Sequence, residues 1–80
     1  MITVNVYTQP ACHACVLTKR HLDRRGIAYT ELPIDDDVRA AAMELDIASA
    51  PIVCVSIDGA ESYFGGYRPD RLDEIARSAA

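Results

Sequence analysis

Between Ile2 and Ile34 the chain runs through strand, helix and strand signals, and that order constrains the fold more than anything else in it. Ile2, Val4 and Val6 alternate with Thr3, Asn5 and Tyr7, the period-two pattern of a half-buried strand. Thr8-Gln9-Pro10-Ala11 breaks the pattern. From Cys12 to Arg25 the spacing turns helical: Ala14, Cys15, Thr18 and Leu22 share a face, while Arg20, Asp23 and Arg24 point elsewhere. The stripe is imperfect, with Val16 and Leu17 off it, and His21 reads as a surface residue. Gly26 is a C-terminal stop, and a second strand is expected over Ile27 to Ile34. Two strands joined through a helix must run parallel, with a right-handed crossover.

The second half continues the alternation. Asp35-Asp36-Asp37 opens a helix from about Val38 to Leu45, and the acidic triplet reads as a cap rather than a metal site. Ile47-Ala48-Ser49-Ala50-Pro51 is a loop into a third strand, Ile52 to Ile57. Asp58-Gly59 signals a hairpin, with a fourth strand from about Glu61 to Phe64. Gly65-Gly66 ends it, and Pro69 precedes a last helix, Asp70 to Ala79, striped by Leu72, Ile75 and Ala76. The order is β-α-β-α-β-β-α. It predicts one α/β domain over 1–80, a mixed four-stranded sheet with three helices on its two faces.

Composition sets the bounds. Eighty residues allow one core, and with no Trp it must be built mainly from Ile, Val, Leu and Ala. The net charge of −4 gives no support for nucleic-acid binding. Lys19, Arg20, Arg24 and Arg25 do cluster; they read as a solvated helix face, or alternatively as a docking patch for an acidic partner. No stretch is long and apolar enough for a membrane span, and no basic n-region precedes the first strand, so a cytoplasmic setting is expected. Three cysteines are too few for a secreted disulfide framework. In a reducing compartment a close pair is catalytic or metal-binding more often than structural.

That pair, Cys12-His13-Ala14-Cys15, lies where the first strand gives way to the first helix. Residues three apart meet on one face of a helix, so the two sulfurs can join or relieve one another. Cys12 stands at the helix N-terminus, where unpaired N–H groups and the dipole favour a thiolate, and is the expected nucleophile with a lowered pKa. Cys15, one turn in and facing the core, is the expected resolving thiol. Buried small apolar residues are the plain alternative. A metal site is another, but one such pair supplies only two thiolates and no second Cys/His pair stands near it. A cluster shared across a dimer, with Cys12 as ligand, stays open. His13 either tunes the thiolate or is an inert exposed residue. Cys54, in a β-branched run, reads as a buried small apolar residue.

Tyr7-Thr8-Gln9-Pro10-Ala11-Cys12-His13-Ala14-Cys15 resembles the active-site segment of glutaredoxins, in the thioredoxin superfamily. Ser49-Ala50-Pro51-Ile52-Val53 resembles the superfamily loop that carries a cis-proline beside the cysteines. The resemblance implies a cis Ala50–Pro51 bond and a partner peptide that pairs with the backbone before the proline. Phe64-Gly65-Gly66-Tyr67-Arg68-Pro69-Asp70 resembles the Trp-Ser-Gly-Phe-Arg-Pro-Asp segment of NrdH-type redoxins. That likeness implies a dithiol donor reduced by thioredoxin reductase and acting on ribonucleotide reductase or another disulfide protein. It needs no cofactor beyond the Cys12–Cys15 disulfide. It implies partner contacts at Tyr7, Pro10, His13, Ala50 and Pro51, and also at Phe64, Gly66, Arg68 and Asp70. For Arg68 and Asp70 a structural role at the helix start is an equal reading. A monomer is expected, since a lasting dimer would cover the docking surface.

The sequence departs from that pattern at Phe64 for Trp, Gly65 for Ser, and His13-Ala14 between the cysteines. Gly65-Gly66 is closer to the double glycine that glutaredoxins use near glutathione, or is simply a turn. Glutaredoxins hold glutathione with a basic residue and a Thr-Val-Pro loop; here the loop is Ser-Ala-Pro and no Lys precedes Cys12. A glutathione-dependent glutaredoxin is therefore the second expectation, with glutathione disfavoured.

Overall fold

A computed structural model of the chain describes residues 1–79. The strands are β1 (Ile2–Thr8), β2 (Thr30–Pro33), β3 (Ile52–Ile57) and β4 (Ala60–Gly65), and the helices are α1 (His13–Arg24), α2 (Asp36–Glu44) and α3 (Pro69–Ala79). The sheet order is β2-β1-β3-β4, with β1 and β2 parallel and β1–β3 and β3–β4 antiparallel. This is the expected βαβ unit extended by a hairpin. The hairpin turns at Asp58 (φ 49°) and Gly59 (φ 87°), both left-handed as a tight two-residue turn requires.

Strand alternation sorts the core. Val4 and Val6, Val53 and Val55, and Phe64 project to the face covered by α1 and α3, where Leu22, Ile27, Leu72 and Ile75 complete one buried cluster. On the other face α2 contributes one buried residue, Ala42, beside Ile34 and Ile52. Asp35 caps α2, its carboxylate accepting the Val38 N–H at 2.8 Å, with Asp36 and Asp37 in the first turn. The acidic triplet is thus a helix start.

The structure shifts element boundaries and buries a residue expected at the surface. Ile27 does not open the second strand: its N–H turns back to the Leu22 carbonyl (2.9 Å), closing α1 around left-handed Gly26, and pairing with β1 begins at Thr30. Gly65 extends β4, paired with Ile52. His21, expected at the surface, is 8% exposed. It lies two turns beyond Cys15 at the edge of the apolar stripe and faces α3. In the neutral ring Nε2–H donates to Asp73 (2.8 Å) and the Tyr67 hydroxyl donates to Nδ1 (2.9 Å). One buried imidazole thus ties α1 to α3 and to the turn before it.

This tie makes an acid-sensitive contact. The hydrogen bond from His21 holds the Asp73 carboxyl below the usual carboxylate range, with Arg25 and Arg77 adding to it. A depressed folded-state pKa gives stability that is full above the unfolded value, about 3.9, and is lost as pH falls through the folded one. Urea melts of Asp73→Asn are expected to lose less stability than the parent on acidification below about pH 4. Parallel losses in the two proteins would refute the contribution of this pair.

Candidate active site

The site stands at one end of the sheet, where β1 gives out and β3 begins. Register Tyr7↔Ile52 sets Thr8 opposite Pro51, so the turn leading to Cys12 and the loop leading to β3 leave the sheet side by side. Ala11 takes a left-handed φ of 56° in that turn, a conformation nothing in its side chain signals.

Cys12 is the N-cap of α1, in extended conformation. Its Sγ accepts the Cys15 N–H at 3.1 Å, and its carbonyl accepts the Val16 N–H at 3.3 Å. A sulfur in this position occupies the place of a capping oxygen and meets a helix-end donor that would otherwise lack a partner. Backbone donors at a helix N-terminus favour the charged form of an unpaired sulfur. Cys12 and Cys15 are joined, with Cα atoms 5.2 Å apart. The two differ in access as helical geometry requires: Cys12 is half-buried, whereas Cys15 is 3% exposed and turned to the core. Behind them Thr18 is fully buried, its hydroxyl donating to the Ala14 carbonyl (2.8 Å). A polar residue thereby joins the apolar stripe at no cost in unmet hydrogen bonds.

The loop opposite is held by β4. The Ala50–Pro51 bond is cis, Pro51 is fully buried and Ala50 is half-exposed. Gly66, at φ 77°, donates its N–H to the carbonyls of Ser49 (3.2 Å) and Pro51 (2.9 Å). Grooves flank the loop on both sides. Gln9, Arg39, Met43 and Ile47 border one; Ile47, Ser49, Gly65, Arg68 and Arg71 border the other.

This geometry sets a disulfide-forming cysteine pair at a helix N-terminus beside a cis-proline loop, and the sequence profile of the glutaredoxin family matches residues 4–59, most of the chain. The chain belongs to the glutaredoxin family. Within it, the chain is similar to the glutaredoxin-like protein NrdH of Lactococcus lactis subsp. cremoris, at 28% identity over 75 residues, covering 91% of this chain and 99% of that protein. It is 31% identical over 72 residues to the Gene 56 protein of Mycobacterium phage L5, covering 90% of this chain and 70% of that one. Among solved structures it resembles the NrdH-redoxin of Escherichia coli, with a TM-score of 0.68 and 29% identity over 91% of this chain and 93% of that one. The fold is therefore thioredoxin-like, and the protein is a glutaredoxin-like thiol–disulfide oxidoreductase.

The other expected contact residues of this glutaredoxin-family chain separate into groups. His13 and Pro10 are exposed next to Cys12, Pro10 bordering a shallow groove with Thr8 and Leu32. Arg68 and Asp70 are exposed and paired with each other, Nε to Oδ1 at 3.1 Å and Nη2 to Oδ2 at 2.9 Å. The Arg68 carbonyl accepts the Leu72 N–H (3.0 Å), which puts the pair at the N-terminus of α3. The Arg68 guanidinium holds the Asp70 carboxyl below its ordinary value. Phe64 borders the second groove but is 4% exposed, its ring under the Arg71 guanidinium at 4.9 Å. Tyr7 projects to the α2 side of the sheet and shares a groove there with Asn5, Cys54 and Tyr63.

Cys54 departs from expectation. It is half-buried rather than buried, because its neighbours Val53 and Val55 take the core face and α2 covers only the Ile52 end of the other. Burial still pushes its thiol up, and the charge of Glu61 adds to the shift. In the reduced protein at neutral pH, iodoacetamide is expected to label Cys12 first and Cys54 at least about tenfold more slowly, read by peptide mass mapping. Faster labelling of Cys54 would contradict both assignments.

Proposed function

We propose that the protein is an NrdH-type dithiol donor: a protein disulfide reductase that takes electrons from thioredoxin reductase and passes them to ribonucleotide reductase or another disulfide protein. The Cys12 thiolate attacks one sulfur of the target disulfide, forming a mixed disulfide and releasing the first target thiolate. Cys15, deprotonated, attacks Cys12 Sγ; the second target thiolate leaves and the Cys12–Cys15 disulfide forms. The target has gained two electrons and the reductase returns them. Ala50 offers backbone to the incoming peptide.

One observation carries this reading: Cys12 Sγ caps α1 and accepts the Cys15 N–H while Cys15 stays buried, an asymmetric pair suited to attack and release. Likeness to NrdH proteins across nearly the whole chain supports the choice of donor and acceptor. The Escherichia coli relative, a glutaredoxin-like protein with a thioredoxin-like activity profile, points the same way. The double glycine that favoured glutathione has a packing role here, since Gly66 seats the Ser49–Pro51 loop.

The test is NADPH oxidation with a protein disulfide substrate in two arms, one with thioredoxin reductase and one with glutathione and its reductase. Turnover confined to the first arm is expected. Turnover confined to the second would make this a glutathione-dependent glutaredoxin. Inactivity in both, with iron or zinc near one per chain or dimer in the purified protein, would favour a cluster carrier through Cys12.

A further inference from the structure

We infer that Gly65 is a positioning residue for protein substrates: the bare α-carbon of Gly65 lets Ile47 and Ser49 seat against β4, and that seat sets where Ala50 meets an incoming peptide. A β-carbon at position 65 would stand 2.4 Å from Ile47 Cγ2 and 2.7 Å from the Ser49 carbonyl oxygen. Real β-carbons do not approach so closely, and one of the two neighbours is backbone, which cannot rotate away.

The contact is one half of a clamp. The Ser49 oxygen that abuts Gly65 also accepts the Gly66 N–H, and the Pro51 oxygen accepts the same N–H. Ser49 and Pro51 are thus both fixed to Gly66, the residue that follows β4. Among the described residues, the Ala50 N–H and carbonyl between them have no hydrogen-bond partner. At the other end the Ile47 N–H is bonded to the Ala42 carbonyl of α2 (2.8 Å). Ile47, Ala48 and Ser49 border both grooves, so the segment is a ridge between them with the free Ala50 backbone at its end. A peptide that pairs with Ala50 depends on this ridge; the cysteines stand on a different loop and helix.

In this chain, where Ile47 and the Ser49 carbonyl fill the space, a side chain at 65 must lift the ridge or tilt the end of β4. The left-handed φ of Gly66 confines the adjustment, because that residue has little room to move without losing both hydrogen bonds. The consequence falls on recognition of a polypeptide disulfide more than on thiol chemistry itself. The inference rests on the reading of the chain as a protein disulfide reductase.

The experiment compares the parent, Gly65→Ala, Ile47→Ala and the double variant, each checked for folding by circular dichroism. With dithiothreitol as reductant, steady-state kinetics are measured on insulin and on hydroxyethyl disulfide. For Gly65→Ala the ratio of kcat/KM on insulin to that on the small disulfide is expected to fall about ten- to a hundredfold, mainly through KM. Ile47→Ala loosens the ridge and lowers the ratio in the same sense. The double variant regains part of what Gly65→Ala loses, because one of the two blocked contacts is gone. A folded Gly65→Ala or Ile47→Ala with the parent's ratio overturns the inference, as does an equal fall on both substrates. If Gly65→Ala does not fold, Ile47→Ala decides alone. A parent that turns over the small disulfide but not insulin refutes the protein-reductase reading instead.

Discussion

Cys12→Ser is expected to reduce protein disulfide turnover to the rate of the uncatalysed exchange, and Cys15→Ser to stop the reaction one step later. A serine hydroxyl cannot form the mixed disulfide, so no amount of binding at the ridge rescues Cys12→Ser. The substitution should leave the fold intact, because serine is itself a good N-cap and its oxygen can take over the Cys15 N–H from the sulfur. That makes it a clean test of chemistry against structure. In Cys15→Ser the first attack proceeds and the second has no internal nucleophile, so the adduct with the target accumulates. Non-reducing gels and mass spectrometry of a tryptic digest should find the target on Cys12. Residual turnover in Cys12→Ser, or an adduct on Cys54, would show that the roles have been assigned to the wrong thiols.

The sheet and its site were legible in the sequence to different depths. Element order followed from local signals that compete with nothing: alternating β-branched residues in β1, Gly26 after α1, the Asp35 cap, the Asp58-Gly59 turn. Cys12 and Cys15 were legible for the same reason, since the helix N-terminus that orients them is written in the residues around it. His21 was not. Its burial comes from Asp73 and Tyr67, far along the chain, which turn a polar ring into a satisfied interior group. Cys54 failed in the opposite direction, because how far α2 reaches across the sheet is a tertiary fact. Gly65 shows the limit most sharply. Its place in the chain marks it as a turn; what it does is leave room for Ile47 and Ser49, and room is invisible until the loop is docked.

Leu22→Ala is expected to remove about 2–5 kcal/mol of stability, the range for truncating a fully buried leucine. A chain of this length holds about 4–12 kcal/mol in all, so the variant melts at least ~8 °C lower. The site of the change explains the size. Leu22 belongs to the buried cluster that includes Val4, Val6, Val53, Leu72 and Ile75, and its carbonyl holds the Ile27 N–H that closes α1, so the cavity opens where helix, sheet and C-terminal turn meet. The Cys12 cap is formed at the other end of the helix by bonds local to its first turn. Below its transition the variant should therefore keep the parent's turnover per folded molecule, while its urea midpoint drops. A loss under about 1 kcal/mol would mean the core recloses around the gap. A loss of turnover in fully folded protein would mean that the placement of Cys12 is set by the core under α1 as well as by the cap.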